Sequence, residues 1–176
     1  APGAGWTDTL RHAIGGMIQT MGESMLVFAP HANSWRRFAN QSYAPVSPTW
    51  GVNNRSVALR IPAGDVRARR IEHRPAGVDA NPYLVAATVL AALRKGIVEH
   101  IDPGPETTGN GYDAGAGAGI PRDWRSAIEA ATGSAFLKDA LGDEMHRTFC
   151  AVKAAEYARV ARTIPDVDFD LYLHRV

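Results

Sequence analysis

The feature that most constrains this chain is a change of period at Pro30. Before it, Leu10, Ile14, Met17, Ile18, Met21, Met25 and Leu26 recur at helical spacing, which predicts an amphipathic helix from Thr7 to Phe28. Thr7 or Asp8 stands where a cap is needed, and Pro30 ends the run. After it, Pro45, Pro48, Gly51, Pro62 and Gly64 cut the chain into short segments, two of which alternate as strands do. Ser56 to Ile61 sets Val57, Leu59 and Ile61 on one face and Ser56, Ala58 and Arg60 on the other. Arg69 to Arg74 sets Arg70, Glu72 and Arg74 on one face, opposite Ile71 and His73. Pro62-Ala63-Gly64-Asp65 between them has turn chemistry, so an antiparallel pair is expected. Helical and strand periods in one short chain predict an α+β fold, with short antiparallel strands flanked by helices.

A second helix is announced by Asn81-Pro82, an N-cap residue followed by proline at the first helical position. Its run through Leu84, Ala87, Val89, Leu90, Leu93 and Ile97 is apolar on nearly every side, which predicts deep burial in a larger assembly. The stretch from Asp102 to Gly119 is rich in glycine and proline and reads as a long loop. Helices are expected over Pro121 to Thr132, Ala135 to Leu141 and Asp143 to Thr163, with a short helical tail from Asp166 to His174. The chain thus divides into residues 1–101 with the strands and the apolar helix, a loop at 102–120, and a helical region at 121–176.

With 176 residues, 45% of them hydrophobic, the chain can bury one substantial core. No apolar run approaches the ~20 residues needed to cross a bilayer, and the opening Ala-Pro-Gly-Ala-Gly has neither methionine nor the pattern of a signal peptide. A cytoplasmic location and a missing upstream region are the expectations. The single cysteine, Cys150, excludes an internal disulfide and reads as a buried structural thiol.

The net charge of +1 hides an asymmetry. Between His31 and Val78 there are eight arginines, no lysine, and only two acids, Asp65 and Glu72. Such a cluster expects anionic partners: phosphate, carboxylate or nucleic acid. The near-neutral whole argues against a nucleic-acid partner.

Several segments of the arginine-rich region resemble one family. They are Asn33-Ser34-Trp35-Arg36-Arg37, Tyr43-Ala44-Pro45, and Trp50-Gly51-Val52-Asn53-Asn54-Arg55-Ser56 running into Ala58-Leu59-Arg60-Ile61-Pro62. Ala68-Arg69-Arg70-Ile71-Glu72-His73-Arg74-Pro75 and Ala80-Asn81-Pro82-Tyr83-Leu84 follow. In order and spacing these are similar to the C-terminal catalytic signatures of glutamine synthetases. Any one of them alone is uninformative; five in sequence are specific.

The resemblance implies an ATP-dependent ligase that phosphorylates the side-chain carboxylate of glutamate and lets ammonia or an amine displace the phosphate. Two anions must then be held in contact, a task suited to rigid bidentate guanidinium groups, with divalent cations screening the phosphates. Residue by residue, it implies that Arg37 and Arg74 bind the glutamate carboxylates and that Arg55 stabilises the transferring phosphoryl group. It implies Arg60 and Arg70 on ATP phosphates, Arg67 near the base or ribose, and Glu72 as a ligand of Mg2+ or Mn2+. Arg55 and Arg60 fall on opposite parities, so a bend or bulge near Ser56 is expected. Without the family context, Glu72 reads as a salt-bridged carboxylate and His73 as a packed strand histidine.

One position departs from the ammonia-using pattern. Counting without gaps from Arg37, the family's ammonium-site glutamate falls on Tyr43, within Gln41-Ser42-Tyr43-Ala44-Pro45. A phenol with a pKa of ~10 is a poor base near pH 7, whereas an aromatic ring helps shape a site for an organic amine. Asp123-Trp124 and Phe136-Leu137 also look more like the γ-glutamyl-polyamine ligases. The expectation is a glutamate–amine ligase of homo-oligomeric type, represented by a C-terminal portion that is inactive alone. An ammonia-using glutamine synthetase and a non-catalytic assembly or sensing subunit stay open as alternatives.

Overall fold

The computed structural model describes residues 7–39, 42–65, 67, 69–113 and 119–173. Gln41, Ala68 and His174, and the opening Ala-Pro-Gly-Ala-Gly, lie outside the described residues.

Helix α1 (Asp8–Phe28) is capped by Thr7, whose hydroxyl accepts from the Leu10 N–H. Its predicted stripe forms the centre of the core, with Ile14, Met17, Met21, Met25 and Leu26 all buried. Burying each such side chain contributes about 1.5–3 kcal/mol. Thr20 and Ser24, also buried, satisfy their hydroxyls by donating one turn back, to the carbonyls of Gly16 at 2.9 Å and Thr20 at 2.8 Å. Helix α2 (Pro82–Val98) starts at Asn81, which caps the N–H groups of Tyr83 and Leu84. It meets α1 with almost no side chain between the two backbones. A Cβ on Gly16 would stand 2.2 Å from the Ala92 carbonyl oxygen, and one on Gly96 would stand 2.0 Å from that of His12. Helix α3 (Trp124–Thr132), capped by Asp123, covers another side of α1 with Trp124, Ala127, Ile128 and Ala131. Helix α4 (Ala135–Leu141) packs against α1 and α2, α5 (Asp143–Arg162) packs against α3 and α4, and α6 (Asp166–Tyr172) follows. Cys150 is buried on α5, where burial pushes its thiol pKa up, as expected of a structural thiol.

The sheet has three strands in the order β1-β2-β3: β1 (Trp50–Val52), β2 (Leu59–Ile61) and β3 (Glu72–His73). The expected antiparallel pair exists, with Leu59 opposite His73 and Arg60 opposite Glu72, but it is shorter than the alternation suggested. The chain bends through 55–58, and Val57, Ala58 and Leu59 are consecutively buried, so Ala58 does not share an outer face with Arg60. β1 is an addition to the expectation; it pairs parallel with β2.

The loop after α2 is docked along β1 rather than free. Thr107 N–H donates to the Trp50 carbonyl at 2.9 Å, and Val52 N–H donates to Glu106 Oε1 at 2.7 Å. Gly111 N–H donates to Ser56 Oγ at 2.7 Å. These bonds give one edge of the sheet the partners that a neighbouring strand would supply.

The expected covering of helix α2 by a larger assembly is not a property of one chain, and within this chain its burial is partial. Only Thr88, Ala92 and Gly96 are buried, while Tyr83, Leu90 and Val98 are exposed in this chain. Its apolar composition is real, but only one stripe finds a partner within these residues.

Candidate active site: an arginine cluster around Glu72

The β2–β3 register builds the centre of the site. Because Arg60 lies opposite Glu72, Arg60 Nη1 donates to Glu72 Oε2 at 2.8 Å. Arg74, two residues beyond Glu72, donates through Nη1 to Glu72 Oε1 at 3.0 Å. One carboxylate therefore holds two guanidinium groups, one on each oxygen. The antiparallel pattern continues past β3, where Arg74 N–H donates to the Ala58 carbonyl at 3.0 Å. Burial pushes the Glu72 carboxyl pKa upward, but the hydrogen bonds and charges of Arg60 and Arg74 outweigh it and hold the group below its ordinary value.

Each arginine is oriented by a second contact. Arg60 Nη2 donates to Asn53 Oδ1 at 2.7 Å, and Asn53 takes a left-handed conformation at the end of β1, with φ 49°. Arg74 Nη2 donates to the Tyr43 carbonyl at 2.9 Å. Tyr43 is also left-handed, with φ 59°, and its side chain is exposed. The same arginine thus touches Glu72 and the backbone of the residue expected to shape the amine site.

Arg37 arrives from a different element. It ends a 3-10 turn (Ala32–Arg37), lies over the Phe38 ring at 4.3 Å, and donates through Nη2 to the Pro75 carbonyl. Pro75 follows Arg74 directly, so Arg37 is tied to the backbone beside the Glu72 cluster. Burial lowers the Arg37 pKa, and the charge of Asp79 works against that. The Nε atoms of Arg37, Arg60 and Arg74 are all buried without a hydrogen-bond partner. Three buried N–H donors of this kind are costly to leave unpaired, at about 1–3 kcal/mol each.

The other expected residues sit on exposed segments. Arg55 occupies the bend before β2, next to Asn54, whose Nδ2 donates to the carbonyls of Thr107 and Gly109 at 3.2 and 2.8 Å. Arg67 is exposed near Asp65, which accepts from its backbone N–H at 2.9 Å. Arg70 is exposed and precedes β3 rather than lying within it. His73 faces the other side of the strand, edge-on to the Phe28 ring at 4.4 Å. Burial, aided by the charge of Arg37, lowers its pKa to about 4, so at neutral pH it is an uncharged packing group. Asn53, Ser34 and Asp79 were not anticipated. Asn53 lies inside a recognised motif, but nothing in the sequence marks Asp79.

The chain matches the family described as glutamine synthetase, catalytic domain, over residues 2–172. It belongs to the glutamine synthetase family. Among relatives of this glutamine synthetase-family chain, γ-glutamylputrescine synthetase PuuA of Escherichia coli (strain K12) is 37% identical over 93% of the chain. The γ-glutamylethanolamide synthetase of Streptomyces coelicolor is 38% identical over 92% of it. The chain spans 34% and 33% of those two proteins, about a third of each. Among solved structures, apo GmaS without ligand superposes with a TM-score of 0.82 at 30% identity, covering 99% of this chain and 40% of that one. The α+β architecture is therefore that of the family, whose members are glutamine and γ-glutamylamine ligases.

Enzymes of this family generally use ATP and divalent metals. The described residues contain no group of three or more His, Cys, Asp or Glu side chains able to hold a metal ion. Both oxygens of Glu72 are already engaged by guanidinium groups. The described residues of this chain do not make a divalent-metal centre by themselves. Among them, no helix is long and apolar enough to cross a membrane.

Proposed function

We propose that this chain supplies the arginine-lined part of the active site of an ATP-dependent glutamate–amine ligase. The observation that carries the reading is the shared carboxylate of Glu72, which holds Arg60 and Arg74 side by side while Arg37 is fixed to the adjoining Pro75 carbonyl. Rigidly held guanidinium groups with unpaired N–H donors suit a site that must bind two anions against each other.

In this reading Arg37 and Arg74 take the carboxylates of glutamate. Arg60 and Arg70 take phosphates of ATP, and Arg67 lies near the base or ribose. The γ-carboxylate of glutamate attacks the terminal phosphorus, the bond to the bridging oxygen breaks, and ADP leaves. Arg55 balances the negative charge on the transferring phosphoryl group and on the resulting acyl-phosphate. The nitrogen of an amine then attacks the acyl carbon, inorganic phosphate leaves, and the nitrogen gives up a proton to water or another base. Positioning and charge stabilisation supply most of the acceleration. Each Glu72 oxygen takes one guanidinium N–H and keeps a further lone pair, so in this reading the carboxylate would be one ligand of Mg2+ or Mn2+, with the remaining donors contributed from outside the described residues. The working protein in this reading is a cytoplasmic homo-oligomer, and the 176-residue chain alone neither turns over ATP nor makes product.

An organic amine is preferred to ammonia because Tyr43 places a phenol where ammonium binding requires a carboxylate. Similarity to a γ-glutamylputrescine and a γ-glutamylethanolamide synthetase supports the same choice. The test is ADP release by the full-length protein with glutamate and a panel of amines. Release that requires both glutamate and an amine is expected. ATP turnover indifferent to glutamate would overturn the reading.

A further inference from the structure

Beside Arg37 lies a cluster that the proposed chemistry does not use. Ser34, in the same 3-10 turn as Arg37, is buried, and its hydroxyl donates to Asp79 Oδ2 at 2.5 Å. That hydroxyl also accepts from the His31 N–H at 3.0 Å, which fixes the start of the turn. Gly77 separates Arg37 from Asp79. A Cβ on Gly77 would stand 2.4 Å from Asp79 Oδ1 and 3.4 Å from both Nε and Nη2 of Arg37. The missing side chain leaves the carboxylate and the guanidinium facing the same space, where the charge of Asp79 acts on Arg37. Gly77 itself is held in place by donating its N–H to the Phe28 carbonyl at 2.9 Å.

We propose that Asp79 is a positioning residue for Arg37. Braced by Ser34 and given room by Gly77, its carboxylate sets the direction in which the Arg37 guanidinium meets a carboxylate of the substrate. Asp79 acts through Arg37 and does not touch glutamate itself. The proposal rests on the reading of Arg37 as a glutamate-binding residue.

The experiment is steady-state kinetics of the full-length enzyme carrying Asp79→Asn, Arg37→Lys, and both together. Asp79→Asn is expected to raise KM for glutamate about tenfold while KM for ATP stays within about twofold and kcat within about threefold. In the Arg37→Lys background the same change should add little, because the two residues act as one unit. Equal effects on glutamate and ATP, or full additivity with Arg37→Lys, would overturn the proposal. If Asp79→Asn fails to fold, Ser34→Ala, which only unbraces the carboxylate, should raise KM for glutamate by a smaller factor; an unchanged KM counts against the proposal. An Arg37→Lys enzyme with unchanged KM for glutamate instead removes the reading of Arg37, and the proposal with it.

Discussion

Arg60 and Glu72 face each other across the β2–β3 ladder and close an ion pair of 2.8 Å, so the strand register and the arginine cluster are one structure. Glu72→Gln should therefore cost stability. It leaves the guanidinium groups of Arg60 and Arg74 together without a neutralising charge, and a loss of about 1–2 kcal/mol is expected from chemical denaturation. The folded-state pKa of Glu72 is depressed, so its stabilising contribution is present above the ordinary value of 4.5 and lost as the pH falls through the lower folded value. Glu72→Gln should flatten that acid limb.

His73 has a separate pH window. The unfolded chain takes up a proton near pH 6.5, whereas the folded chain does so only at about 4. Stability from this group is complete above the upper value and falls as the pH is lowered across the interval. Thermal melts between these pH values should show a declining Tm. In His73→Phe, which keeps a ring against Phe28, that decline should be reduced.

The α1–α2 contact is the place most sensitive to added volume. Gly96→Ala puts a methyl against the His12 carbonyl oxygen at 2.0 Å, and the two helices must separate. A loss of about 2–3 kcal/mol is expected on denaturation. Alanine normally favours a helix over glycine, so the sign of the effect isolates the packing.

Tyr43→Glu tests the co-substrate. Restoring a carboxylate at this position supplies a charge for ammonium and a base near pH 7. In the full-length enzyme, the ratio of kcat/KM for ammonium to that for an amine should rise by about tenfold or more. A ratio that does not move would show that Tyr43 has no part in choosing the nitrogen.

What the sequence made legible is what local chemistry decides. The stripe from Leu10 to Leu26 and the caps at Thr7 and Asn81 place α1 and α2, because period and capping act within a turn or two. The side-by-side placement of Glu72 and Arg74 follows from strand parity. β1 was not legible: Trp50–Val52 is too short to alternate, and it is held by β2 and by the loop around Glu106 and Thr107, far along the chain. Ala58 was misplaced because a bend makes three successive residues inward-facing. The apolar helix α2 showed that it must be covered, but composition cannot say by what. The pairing of Arg60 with Glu72 depends on register, and that of Ser34 with Asp79 on a turn meeting a distant loop; neither leaves a mark on spacing.

The most direct test of the ligase reading is to identify the product. The full-length protein, given glutamate, ATP, a divalent metal and an equimolar mixture of ammonium and a primary amine such as putrescine or ethanolamine, is analysed by mass spectrometry. A γ-glutamyl amide of the amine is expected as the main product, formed one-for-one with ADP. Glutamine as the main product, or ADP without any γ-glutamyl compound, would contradict it.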